Sequence, residues 1–135
     1  FYSRINNALF CGDTLFSLGC GRIFEGSSEQ MWNSLKLLRC LPDETVVYCA
    51  HEYTLANSCF AIKIDPENKF LQKKVEEIRE KRKLKIPTIP TLLGEEKKTN
   101  PFLRADNKSF VKELGFSDKI DWKVFGRIRS MKDNF

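Results

Sequence analysis

Two residues with metal-ligating side chains close short apolar runs in this sequence. Asp13 follows Asn7-Ala8-Leu9-Phe10-Cys11-Gly12, and His51, the only histidine in 135 residues, follows Thr45-Val46-Val47-Tyr48-Cys49-Ala50. An apolar run that ends abruptly in a carboxylate or an imidazole delivers that side chain to the end of a strand, where the sheet holds it rigidly. A carboxylate can bridge two metal ions, and a neutral imidazole suits zinc or iron. Two ions side by side can generate a nucleophile from water near neutral pH and polarise a carbonyl. Spacing alone leaves a second reading open: a capping Asp in a turn and a histidine satisfied by its surroundings. One imidazole and one carboxylate also fall short of a hydrolytic metal centre. The pair reads as half of a site.

The other chemistry on offer is cationic. Arg129 and Lys132 stand three apart in a helical pattern near the C-terminus, so they share a helix face and together can clamp a carboxylate. Basic residues also gather at helix ends simply because the macrodipole favours them there. Gly19-Cys20-Gly21-Arg22 is a glycine-rich turn, too short and isolated for a phosphate loop, and Cys20 has no basic neighbour in sequence except Arg22. The five cysteines are an odd number with no C-x-x-C pair. A disulfide scaffold and a zinc finger are therefore not expected, and a reducing compartment is. Cys11 and Cys49 sit in apolar runs and behave as small hydrophobes.

Net charge is +5, but Lys73-Lys74 and Lys81-Arg82-Lys83 are interleaved with Glu76, Glu77 and Glu80, the pattern of a solvated helix face. No nucleic-acid partner is expected. No stretch approaches the ~18 apolar residues of a membrane span, and no leader is visible. The expectation is a cytoplasmic protein, with a mitochondrial one as the alternative. Because the chain opens on Phe1-Tyr2-Ser3, it reads as a processed product or a piece of a longer protein.

The elements that must position these residues follow from periodicity. Asn7–Cys11 and Thr45–Cys49 predict strands, the first of them buried. Ser27-Ser28-Glu29-Gln30 predicts a helix start, with Met31, Leu35, Leu38 and Leu41 at helical spacing and a stop at Pro42. Helices are predicted from Thr54 to about Lys63 and from Asp65 to about Leu84, the latter burying Phe70, Val75 and Ile78. Two more run from Asn107 to Leu114 and from Asp121 to about Met131. Ile86-Pro87-Thr88-Ile89-Pro90-Thr91 must be extended, since each proline disfavours α geometry before it. This segment reads as a stiff strap between domains. Trp32 and Trp122 are expected in the core. Two strands are not independently stable, and their edges call for more sheet.

Gly12-Asp13-Thr14-Leu15-Phe16, Gly19-Cys20-Gly21-Arg22, Glu25-Gly26, His51-Glu52-Tyr53-Thr54, Asn100-Pro101-Phe102-Leu103-Arg104 and Arg129-Ser130-Met131-Lys132-Asp133 together resemble the hydroxyacylglutathione hydrolases, or glyoxalase II enzymes, of the metallo-β-lactamase superfamily. Each motif is weak alone, but the set is specific and its order runs from about Ala8 to Phe135. The resemblance implies an α+β fold: residues 1–52 as the C-terminal portion of a metallo-β-lactamase-type αββα sandwich, and residues 53–135 as an all-helical, glutathione-binding domain. It implies an enzyme, a metal-dependent thioesterase that hydrolyses S-D-lactoylglutathione to glutathione and D-lactate through a hydroxide held by two divalent metal ions, zinc or else iron or manganese. Asp13 matches the bridging carboxylate and His51 the last histidine ligand. Arg22 falls where the family usually has a Lys near the substrate, and Tyr53 matches a substrate-contacting tyrosine. Arg129 and Lys132 match the pair that grips the glycine carboxylate of glutathione. Phe24 stands where many members have a substrate-contacting Tyr. The family's T-H-x-H-x-D-H motif is not in this sequence, so the remaining ligands are expected from a missing N-terminal half, and the chain alone is expected to be inactive. The rival expectation is a truncated, non-catalytic paralogue that keeps glutathione binding or serves as an interaction module. A different thioesterase or persulfide-handling enzyme of the superfamily is disfavoured by the Arg129/Lys132 pair.

Overall fold

The computed structural model describes residues 1–117 and 120–135. Two half-buried strands form the centre of the first half. β2 (Ala8–Gly12) and β5 (Val46–Cys49) pair in parallel, with Leu9 opposite Val47, and the register shifts between Phe10 and Gly12. That irregularity re-aims the end of β2, as bulges do, and Asp13 is the next residue. α1 (Ser28–Arg39) makes the crossover. It begins with the expected capping box, in which the Gln30 amide N–H donates to Ser27 Oγ and the Ser27 N–H to Gln30 Oε1.

The sheet has four strands where the sequence predicts two. β1 (Tyr2–Ser3) adds antiparallel to β2, and β6 (Thr91–Leu92) adds antiparallel to β5. β6 is the end of the proline-containing segment, so the strap finishes as an edge strand. Pro90 immediately precedes the ladder and costs it no donor. β3 (Leu15–Phe16) and β4 (Gly19–Cys20) form a separate tight hairpin, too short to leave a period-two signal.

Helices make up the rest: α2 (Thr54–Ile64), α3 (Lys69–Lys83), α4 (Leu93–Thr99), a 3-10 turn at Pro101–Leu103, α5 (Lys108–Glu113) and α6 (Asp121–Asp133). The molecule is thus mixed α and β, with six α-helices among the described residues. α3 starts at Lys69 rather than Asp65, because Asn68 is its cap and accepts from the Leu71 amide. α4 went unpredicted: Leu93-Gly94-Glu95-Glu96-Lys97-Lys98-Thr99 carries one apolar residue and no readable stripe. Among the described residues no helix is long and apolar enough to cross a membrane.

One core draws on both halves of the chain, joining Leu9, Leu15, Trp32, Leu35 and Val47 to Phe60, Phe102, Phe125 and Ile128. Trp32 is buried and stacks on Phe125 at 5.8 Å, so α6 closes over α1. Trp122 is only partly buried at its edge. A smaller cluster of Leu18, Ala61, Leu71, Val75 and Ile78 seats α3 on α2. Phe70 lies outside it, 63% exposed, and corrects the expected stripe. Phe10 corrects the expectation of a buried strand: only one face of β2 is covered, and on the other Phe10 is 49% exposed and stacks on Tyr48 at 5.1 Å, with Phe1 beside it.

Candidate active site

Asp13, Arg22, His51, Tyr53, Arg129 and Lys132 all line one cleft of about 500 Å³. They arrive on four separate supports. Asp13 leaves the bulged end of β2, and Arg22 follows β4. His51 and Tyr53 sit between β5 and α2, and Arg129 and Lys132 are one turn apart on α6. A parallel pair joined by a helix puts the C-terminal ends of β2 and β5 side by side, which brings residues 13 and 51 together.

Asp13 Oδ1 and His51 Nε2 are 3.1 Å apart, both well exposed to the cleft. The imidazole stacks on Tyr53 at 4.9 Å, and Phe16 abuts both rings, edge-on to Tyr53 at 5.2 Å. Aromatic packing of this kind fixes ring orientation as well as contributing burial. An oxygen and an imidazole nitrogen that converge in the open suit a divalent cation. They are two donors of the four or more such an ion takes, and among the described residues no group of three or more His, Cys, Asp or Glu side chains assembles. The pair fits part of a metal site.

The far wall is cationic. Arg22 is largely exposed and lies 3.9 Å from Asp133. Lys132 lies over the Phe60 and Phe135 rings, at 5.8 and 5.6 Å. Partial burial, with Arg129 and Arg22 as positive neighbours, pushes its ammonium below the ordinary lysine pKa. Arg129 is different in kind. It is buried, donates from Nη1 to the Cys20 carbonyl at 2.8 Å and from Nε to Asp133 at 3.0 Å, and stacks over Phe102. Each of its three nitrogens has a protein partner, so where it lines the cleft it also holds β4 against α6. Phe24 stands 86% exposed at the rim. Cys20 is buried beside Arg129; burial outweighs the guanidinium and pushes its thiol up to about 12, so it is no nucleophile at neutral pH.

The glycines of Gly19-Cys20-Gly21 have steric reasons. A Cβ on Gly21 would collide with the Asp13 carbonyl oxygen, and one on Gly19 with the Asn57 amide. Asp13 and Arg22 stand on opposite sides of that close approach.

A buried polar hub beneath the hairpin went unread in the sequence. Glu96, fully buried, accepts from Ser17 Oγ, the Leu18 amide, Lys74 Nζ, Thr91 Oγ1 and Asn100 Nδ2 at 2.6 to 3.0 Å. Asn100 Nδ2 also donates to the Phe16 and Gly19 carbonyls, and Asn57 Nδ2 to that of Ser17. Burial opposes its ionisation, but Lys74 and these donors outweigh it and hold the Glu96 carboxyl below its ordinary pKa. Glu96 hides in Glu95-Glu96-Lys97-Lys98, which reads as surface. Asn100 was visible as a turn residue but not as a clamp.

Residues 52–135 match the family model of the hydroxyacylglutathione hydrolase C-terminus. The chain belongs to this family. It is 53% identical over 135 residues to the hydroxyacylglutathione hydrolase of Bartonella henselae, a match that takes in 100% of this chain and 53% of the relative. It is 51% identical to that of Methylococcus capsulatus over the same spans, and 54% identical over 127 residues to that of Microcystis aeruginosa, covering 94% of this chain and 49% of the relative. The chain spans about half the length of the curated relatives it matches.

Proposed function

We propose that this chain is the C-terminal part of a hydroxyacylglutathione hydrolase and forms the glutathione-binding wall and one edge of the metal site of a thioesterase. The observation that carries the reading is the single cleft with a metal-ligating pair at one end and cations at the other. A glutathione thioester has matching ends: carboxylates on its peptide arm and a reacting carbonyl at its sulfur. Lys132 and Arg22 take the carboxylate at the cationic end. Arg129 holds the Cys20 carbonyl and Asp133 and so fixes the distance between β4 and α6 across which the peptide lies. On this reading the Tyr53 hydroxyl, from the cleft wall, hydrogen-bonds the peptide. Asp13 and His51 would hold divalent metal ions, which when bound supply charge stabilisation at the carbonyl and an activated water. Hydrolysis then adds water to the carbonyl carbon and breaks its bond to sulfur, releasing glutathione thiolate and the hydroxy acid, D-lactate from S-D-lactoylglutathione.

The uncovered aromatic face of Phe1, Phe10 and Tyr48 is where a second sheet would complete an αββα sandwich, and the extra length of the relatives is the natural source of that sheet and of the remaining ligands. On this reading the 135 residues alone do not turn over thioester.

Kinetics on the full-length protein test the reading. His51→Ala abolishes hydrolysis of S-D-lactoylglutathione while leaving glutathione affinity within about threefold, and Lys132→Ala raises KM by about tenfold, the worth of one charge-assisted hydrogen bond. A full-length protein that binds glutathione with no turnover at any metal loading would support the non-catalytic module instead.

A further inference from the structure

His51 and Tyr53 face the cleft from a segment that belongs to neither β5 nor α2. The residue between them, Glu52, turns the other way and reaches the strap instead. Its Oε1 accepts the Thr88 amide at 2.5 Å and its Oε2 lies 2.7 Å from Thr88 Oγ1, with Arg82 Nη1 at 3.9 Å. Thr88 Oγ1 is also 2.6 Å from Thr54 Oγ1, at the first turn of α2, and both threonines are buried. The Thr54 hydroxyl can therefore donate to Thr88, and the Thr88 hydroxyl to Glu52, in one chain. Thr88 is the middle of the proline strap, between Pro87 and Pro90. Proline flanks give such a strap few conformations, which makes it a stiff anchor.

We propose that the Glu52–Thr88 latch is a positioning device: the strap grips the middle residue of the segment and thereby sets the direction in which His51 and Tyr53 point into the cleft. Glu52 and Thr88 touch neither substrate nor metal in this scheme. They act through their neighbours, and so the proposal rests on the cleft being the glutathione-thioester site.

Full-length Thr88→Val, Thr88→Ser and Glu52→Ala proteins test it by two readouts. The first is hydrogen exchange of residues 50–54. It rises at least tenfold in Thr88→Val and Glu52→Ala, stays near wild type in Thr88→Ser, and rises little elsewhere. The second is glutathione affinity by calorimetry, together with metal retained per chain after dialysis against a chelator. Thr88→Val weakens glutathione about tenfold, as expected for one hydrogen bond to a charged group, and lowers retained metal, and Thr88→Ser restores both. Unchanged exchange at 50–54 in Thr88→Val overturns the latch. Faster exchange with wild-type glutathione binding and metal retention overturns its positioning role. If wild-type protein itself fails to bind glutathione, the functional reading falls, and exchange alone then decides whether the latch exists.

Discussion

Replacing Glu96 with Gln removes one negative charge from a fully buried polar site. Five donors converge on this carboxylate, one of them the Lys74 ammonium at 2.6 Å. Losing one partner of a buried pair costs about 3–5 kcal/mol, because the other is left uncompensated. Lys74 keeps Thr91 Oγ1 at 3.0 Å and the half-exposed Glu95 at 3.6 Å, which places the expected cost at the low end, ~3 kcal/mol. At ~3 °C per kcal/mol for a full-length protein of this class, the melting temperature falls by ~10 °C. Lys74→Met costs a similar ~3 kcal/mol, because it leaves the fully buried Glu96 carboxylate without its counter-charge, although four neutral donors remain. The double variant costs less than the sum of the two, since neither charge is then orphaned. Urea unfolding of the full-length protein followed by circular dichroism measures all three. A Glu96→Gln cost under ~1 kcal/mol, or strict additivity of the pair, would refute the view that this hub is an electrostatic clamp on the hairpin.

Acid should unfasten the same clamp. Glu96 and Asp106 are both held below their ordinary values, Glu96 by Lys74 and its hydrogen-bond donors against the cost of burial, Asp106 chiefly by its hydrogen bonds from Arg39. A depressed carboxylate contributes stability that is present above the unfolded pKa of about 4 and is lost as pH falls through the folded one. The urea midpoint therefore drops below pH ~4.5, and drops less steeply in Glu96→Gln; equal slopes would contradict the assignment. Trp32→Ala removes a buried ring stacked on Phe125 and costs about 3–5 kcal/mol, loosening α6 and raising KM before kcat; loss of kcat alone would argue against α6 as the binding wall. Arg129→Lys keeps the charge but cannot bridge Cys20 and Asp133 together, so both stability and KM suffer, whereas Lys132→Ala affects KM alone. Indistinguishable stabilities for the two would show Arg129 to be as free as Lys132.

Much of the candidate site was legible in the residues because those that line the cleft punctuate the chain. Asp13 and His51 end apolar runs, Arg22 follows a glycine turn, and Arg129 and Lys132 obey helical spacing. Such local signals carry residue type and element type together, and the order of the motifs carried the family. The helices with clear stripes, α1 and α3, were readable for the same reason, with Phe70 the exception: an apolar residue at the first turn of α3 satisfies the period yet finds Lys98 rather than core beneath it.

Folding together decided what local pattern cannot encode. The two-residue strands β1, β3, β4 and β6 exist because a partner strand satisfies their amides, and a period of two cannot show in two residues. Glu96 differs from its exposed neighbour Glu95 only in which way α4 faces when packed, so no composition rule separates them. Arg129, read as a second substrate cation, lines the cleft and is also a buried tie, because its reach across to Cys20 depends on a hairpin 109 residues earlier in the chain. Sequence alone determined which groups the protein has for chemistry and on what kind of element each one sits. Tertiary structure determined which of them remain free to meet a ligand, because long-range packing decides where a charged side chain finds its partner.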